Sequence, residues 1–274
     1  MRITTLLENH SNKSMPDLQS EHGLSFYIEN RDYVVMSDVG QSGKFAVNAG
    51  VLDLDLARVE GLAISHHHYD HGGGLGQFIK DNERAMVYLR QTSDVNFVAE
   101  DGSEDVRYIG LDQGLLRKHA DRIQYITENS EIMPGFHLLT DIPNDFPKPS
   151  GDQRLKIQNG KEKRVDTFEH EMVTVLEGEK GLVVLTGCAH NGVLNMIAAT
   201  QNALPGKTIL AVVGGFHLHH EDETAVRAVG KALLELDIPA VYTGHCTGDW
   251  AVDVLTEVMG DRLKRLYTGL VMTF

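Results

Sequence analysis

With 274 residues, the chain is long enough to bury a substantial core, either as one large α/β domain or as two small ones. Its net charge of -14 and pI near 5.4 oppose non-specific binding to nucleic acid or to anionic membrane, which would repel it at long range. No stretch approaches the roughly 18 consecutive apolar residues of a bilayer span.

The first eight residues, Met1-Arg2-Ile3-Thr4-Thr5-Leu6-Leu7-Glu8, read as a short strand, followed by neither the apolar core nor the cleavage site of a signal peptide. Apolar runs of strand length recur at 24–28, 33–36, 62–64, 86–89, 136–139, 172–176, 182–185, 209–213 and 240–242. Several are rich in Val and Ile without polar alternation, as expected of strands covered on both faces. The segment 92–171 is different. It holds the acidic run Glu100-Asp101-Gly102-Ser103-Glu104-Asp105, the Pro-rich run 142–149 and the charged run 160–164, compositions that favour loops and turns. We read it as an insertion within a single domain spanning 1–274, forming one wall or lid of a site, or else a solvated excursion. It would serve an oligomer interface as readily as a lid.

Helical patterns fill the C-terminal half. Residues 191–204 begin at an Asn cap, Asn191, and place Val193, Ile197, Ala198 and Leu204 on one stripe. Residues 222–236 repeat the arrangement with Val226, Val229, Leu233 and Leu234, and a third helix is predicted over 249–259. The two cysteines, Cys188 and Cys246, are able in number to form one disulfide, but both lie beside histidines in loops that end strands. A reduced, cytoplasmic protein is the expectation.

The densest chemistry is Ser65-His66-His67-His68-Tyr69-Asp70-His71-Gly72-Gly73-Gly74, placed directly after an apolar run. Neutral imidazole and carboxylate are what zinc, iron or manganese accept as ligands near neutral pH. In extended chain His66 and His68 face one side, while His67 and Tyr69 face the other. Asp70 and His71 then fall at a turn, where both converge on a second ion. The internal position and the interleaved Asp70 exclude a purification tag.

The pattern His-x-His-x-Asp-His, after a buried strand and before a glycine-rich helix start, resembles the signature of the metallo-β-lactamase superfamily, whose members are mostly dinuclear metal hydrolases. The resemblance implies a four-layer αββα sandwich and two divalent cations. It also implies that His190, in Thr186-Gly187-Cys188-Ala189-His190, joins His66 and His68 at one cation, and that His245, in Gly244-His245-Cys246-Thr247-Gly248, joins Asp70 and His71 at the other. Most two-metal relatives carry a bridging aspartate between these loops. Here the chain reads Val212-Val213-Gly214-Gly215-Phe216-His217-Leu218, with no acid until Glu221.

His217 is therefore expected just outside the coordination sphere as a general acid or phosphate ligand, with a metal-ligand and a purely structural role as alternatives. His219 and His220 are expected to be solvated. The same stretches, with the turn Asp38-Val39-Gly40, are similar to the subgroup named for the dihydropterin-ribofuranosylaminobenzene 5′-phosphate synthase of methanopterin biosynthesis. In that light Asp38 would accept a hydrogen bond from a ligand histidine and fix its tautomer, or simply form a turn.

Two adjacent cations lower the pKa of a shared water and polarise a phosphoryl oxygen. The expected activity is thus hydrolysis of a small anionic phosphate-containing substrate, such as a phosphodiester, with Asp70 orienting the nucleophile and His217 serving the leaving group. A transferase that joins a dihydropterin methyl diphosphate to ribofuranosylaminobenzene 5′-phosphate is the alternative. A nonenzymatic metal or ligand sensor is the third reading.

Overall fold

The computed structural model describes residues 1–93, 95–100 and 106–274. Two seven-stranded sheets pack face to face. In the first, the strands run edge to edge as Val271–Thr273, Arg2–Leu7, Ser25–Glu29, Val34–Ser37, Gly61–Ala63, Met86–Arg90 and Ile123–Ile126. In the second they run Leu263–Arg265, Ala240–Thr243, Ile209–Gly214, Gly181–Leu185, Val173–Gly178, Phe136–Leu139 and Ser130–Met133.

Alternation along each strand builds three cores. Val183 and Leu185 join Ala211, Val213, Phe26, Val35 and Ala63 between the sheets, while Leu182 and Val184 turn outward. There they meet Val193 and Ile197 of helix Val193–Ala203, Val226 and Leu233 of Glu223–Glu235, and Val252 and Leu255 of Asp249–Met259. On the far side, Val34 and Met36 pack against Phe45 of helix Lys44–Val51 and Phe78 of Leu75–Asp81. The order of layers is helix, sheet, sheet, helix, which is why so many strands lack a polar face.

The described residues of the segment 92–171 hold more regular structure than its composition predicts. Ile123–Ile126 completes one edge of the first sheet, and Ser130–Met133 and Phe136–Leu139 complete one edge of the second. A separate four-stranded sheet runs in the order Glu162–Val165, Leu155–Asn159, Asn96–Ala99, Arg107–Tyr108. It has its own core of Phe97, Ala99, Ile109, Leu155, Ile157 and Phe168. The acidic run at 101–105, expected as a surface loop, lies outside the described residues. Among the described residues, no helix is long and apolar enough to cross a membrane, and both cysteines are free and buried.

The strands Val34–Ser37, Gly61–Ala63 and Met86–Arg90 are mutually parallel, as are Gly181–Leu185, Ile209–Gly214, Ala240–Thr243 and Leu263–Arg265. Carboxyl ends of parallel strands open together, and the loops beyond them line a shared crevice.

A candidate metal centre at the end of the sandwich

Every histidine singled out from the sequence as a ligand follows one of these strand ends. His66 to His71 come after Gly61–Ala63, His190 after Gly181–Leu185, His217 after Ile209–Gly214 and His245 after Ala240–Thr243. The loops are tightly bent. Asp38, Ala189, His217 and His245 all adopt positive φ, between 50° and 59°, a conformation that costs a non-glycine residue about 1–3 kcal/mol. At Gly187 (φ 63°) an added Cβ would lie 2.3 Å from Ser65 Oγ. Only glycine lets the Cys188–His190 turn press against the histidine loop.

The structure brings His66, His68 and His190 together, with ligand atoms mutually within 4.8 Å. Their Nε2 atoms are buried and have no hydrogen-bond partner. A buried polar atom left unmatched costs roughly 1–3 kcal/mol, and three facing one another fit a single shared cation. Two of the rings are held from behind. Ser65 Oγ donates to Asp38 Oδ2 at 2.8 Å and so accepts from His66 Nδ1 at 3.0 Å. Asp152 Oδ1 takes the proton of His190 Nδ1 at 2.8 Å. In both, Nε2 is left as the free lone pair. Burial first, then neighbouring imidazoles, holds His66 and His68 well below the usual histidine range. Burial lowers His190 to about 4, against the pull of Asp152. All three are neutral donors at pH 7.

A second group comprises Asp70, His71, His245 and Cys188. His71 Nε2 is 3.3 Å from His245 Nε2 and 3.1 Å from Cys188 Sγ, and Asp70 Oδ2 is 3.3 Å from His245 Nε2. Asp38 Oδ2 accepts from His71 Nδ1 at 2.7 Å, so one carboxylate steadies ligand candidates of both groups. His245 Nδ1 lies 2.9 Å from Asn9 Oδ1, and its backbone N–H donates to Glu8 Oε1 at 2.6 Å. Burial would lower His71, but Asp38 and Asp70 outweigh it and raise it above its usual value. For Asp70, burial is likewise outweighed by His71, His22 and His245, which hold it well below the usual carboxylate range. Burial, reinforced by Cys246, pushes the Cys188 thiol well above its usual value.

His217 sits beside the first group and not between the two. Its ring is 4.3 Å from that of His190, and its Nδ1 is 3.0 Å from Asp152 Oδ1 at an angle poor for a hydrogen bond. His219 is not simply solvated as expected. Its Nδ1 donates to Cys246 O at 3.0 Å and its Nε2 faces Arg154 Nη2 at 3.2 Å, and burial, helped by the neighbouring His217 and His220, lowers it to about 4. His170 lies near His68, but its Nδ1 accepts from His67 N and its Nε2 donates to Asp166. Both nitrogens are committed, so His170 braces the histidine loop and holds no cation.

Several contributors escape a sequence reading. Asp152 belongs to the short 3-10 helix Ser150–Arg154, 38 residues before His190, and Asn9 lies 236 residues from His245. Glu171, buried and pushed up to about 8 by desolvation, accepts the N–H groups of His190 and Asn191. It also takes the Asn191 side chain, so the helix that follows starts from Gly192 and not from an Asn cap.

The donors open into a crevice of about 260 Å³, with Arg107 and Arg154 in its wall. A larger hollow of about 730 Å³ near Met1 and Phe274 lacks any comparable convergence of donor atoms.

A family model described as the metallo-beta-lactamase superfamily matches residues 20–245. The chain is 27% identical to a protein of Methanocaldococcus jannaschii named 7,8-dihydropterin-6-methyl-4-(beta-D-ribofuranosyl)-aminobenzene-5′-phosphate synthase, over 100% of this chain and 97% of that relative. It is 30% identical to a solved structure described as a metal-dependent hydrolase of the beta-lactamase superfamily, with a TM-score of 0.84, covering 100% of this chain and 99% of the other. Zinc-bound PqqB from Methylobacterium extorquens has the same fold, with a TM-score of 0.58 at 11% identity and complete coverage of both chains.

Proposed function

The chain belongs to the metallo-β-lactamase superfamily, and on that footing we propose that it is a metal-dependent hydrolase of a small phosphate-bearing molecule such as a phosphodiester. His66, His68 and His190 would hold one divalent cation and Asp70, His71 and His245 a second. The observation that carries this reading is the set of three buried, partnerless Nε2 atoms converging beside a second cluster of donors in an open crevice. Zinc, iron or manganese suits neutral imidazole and carboxylate. Such cations supply Lewis acidity, which lowers the pKa of a coordinated water and neutralises charge on phosphoryl oxygens.

The protein's own groups do the rest. Arg107 and Arg154 in the wall give a substrate phosphate its counter-charge. Asp70, kept ionised by its neighbours and 3.2 Å from His22 Nε2, orients the attacking oxygen. His217, poised against Asp152, hands a proton to the leaving group. Free buried thiols suit a reducing cytoplasm.

A second reading is favoured by the full-length similarity to the methanopterin-type synthase. In it the same centre binds a diphosphate leaving group, and an aminobenzene acceptor replaces water. The test is to give fully metal-loaded protein a dihydropterin methyl diphosphate with and without ribofuranosylaminobenzene 5′-phosphate, alongside a panel of phosphodiesters. Turnover that needs no acceptor supports the hydrolase, and acceptor-dependent turnover supports the transferase. No turnover at full loading would overturn both and leave a sensor.

A further inference from the structure

We propose that Cys188 is the fourth donor of the second cation site, its thiolate joining Asp70, His71 and His245 and making that site selective for a thiophilic ion. The inference rests on reading the crevice as a two-cation centre, and it adds a ligand and a metal preference to that reading.

Spacing is the first argument. With bonds of about 2.0–2.1 Å to nitrogen or oxygen and about 2.3 Å to sulfur, tetrahedral donors stand roughly 3.3 Å apart for N and N, and roughly 3.5 Å for N and S. The observed separations are 3.3 Å for His71 Nε2 to His245 Nε2, 3.1 Å for His71 Nε2 to Cys188 Sγ, 3.3 Å for Asp70 Oδ2 to His245 Nε2 and 3.7 Å for Asp70 Oδ2 to His71 Nε2. These four atoms already mark the corners of one coordination polyhedron.

Proton counting is the second. His71 Nδ1 faces the Asp38 carboxylate, which only accepts, so Nδ1 keeps its proton and Nε2 is the nitrogen turned toward the other donors, a lone pair in the neutral ring that a cation would select. Gly23 N–H donates to Asn9 Oδ1, which fixes the amide, so His245 Nδ1 must donate to that same oxygen and its Nε2 is a lone pair too. Asp70 is an acceptor. A thiol proton on Cys188 satisfies one of these atoms and leaves the others facing each other. A divalent cation satisfies all four, and as it binds, the S–H bond breaks, the S–metal bond forms and the proton leaves to solvent.

Chemistry supplies the consequence. A thiolate among the ligands favours zinc, cobalt(II) or iron over manganese or magnesium. Cys246 serves as the control, since its Sγ contacts the Cys188 carbonyl at 3.6 Å and is not part of this donor group.

The experiment loads metal-free protein with cobalt(II) and records its absorption. We expect two ions per chain and a near-ultraviolet thiolate-to-cobalt charge-transfer band in the parent and in Cys246→Ser. The band should be absent in Cys188→Ser, and Cys188→Asp should bind cobalt without it while narrowing the preference for zinc over manganese. X-ray absorption on the zinc-loaded parent needs no variant to fold and should find a sulfur neighbour at about 2.3 Å. Two bound ions without a sulfur signal, or a band that survives in Cys188→Ser, would overturn the role of Cys188 and leave the enzyme reading standing. Failure to bind cobalt at all would overturn both.

Discussion

Asp152 and His190 meet at 2.8 Å, carboxylate to Nδ1, joining the short 3-10 helix that leads into the small sheet to the turn that follows strand Gly181–Leu185 of the second sheet. Burial would raise Asp152, but His190 and then His217 outweigh it and keep it well below the usual carboxylate range, so the acceptor stays charged. Replacing Asp152 with Asn should weaken cation binding at His66, His68 and His190 by roughly 10–100-fold, the usual effect of losing such a partner. Competition against a chromophoric chelator measures this directly, and an unchanged affinity would contradict it.

Chelation should destabilise the fold. A cation present at about 1,000 times its dissociation constant contributes roughly 4 kcal/mol through binding linkage. For a domain of this size that corresponds to a Tm change on the order of 10 °C. Calorimetry before and after exhaustive EDTA treatment should show a drop of that order, reversed by zinc. A Tm indifferent to chelation would mean that the converging imidazoles hold nothing.

Asp38 accepts from Ser65 N, Ser65 Oγ and His71 Nδ1 while standing at a φ of 59°. Asp38→Ala strands three buried donors, each worth roughly 1–3 kcal/mol, and loses a residue type at home in left-handed backbone. We expect a loss of stability above about 3 kcal/mol in urea titrations, together with loss of cations from both groups. Asp38→Asn keeps the backbone preference and should be markedly milder.

His10 gives a pH signature from behind the cation ligands, through Glu8, which also accepts from His245 N–H. Its Nδ1 lies 3.0 Å from Glu8 Oε2 and its Nε2 lies 3.0 Å from Asp249 Oδ1. The hydrogen bond that His10 donates to the Glu8 carboxylate raises its pKa, partial burial opposes this, and the charges of Glu8 and Asp249 add to the rise. A raised folded-state value stabilises the fold fully below the unfolded value of about 6.5, and the contribution fades as pH rises through the folded value. His10→Gln should therefore lower Tm at pH 5.5 and leave it nearly unchanged at pH 9. An equal loss at both would show that packing, not charge, is what His10 supplies.

What the sequence made legible follows the range of the signal. Runs such as Leu182-Val183-Val184-Leu185 announce a strand buried on both faces, and the structure divides them between two cores. The histidine loop is legible because its donors are close in sequence and their spacing matches extended chain. The small sheet was hidden by composition. Leu155-Lys156-Ile157-Gln158 does alternate, but charged neighbours on both sides mask so short a pattern. Asp152 and Asn9 were beyond reach for another reason. A contact across 38 or 236 residues leaves no periodicity behind, and nothing local distinguishes either residue from an ordinary loop acid or amide.

The donors come from both sheets, His66 to His71 from one and Cys188, His190 and His245 from the other. Cations seated among them would act as rivets at one end of the sandwich, leaving the opposite end to apolar contact and the exposed Arg31–Glu179 ion pair. Separation of the sheets would then begin at the end away from the crevice. In amide hydrogen exchange, the strand ends beneath the two clusters should open as one cooperative unit, slow while the rivets hold and fast in both sheets together once they are drawn.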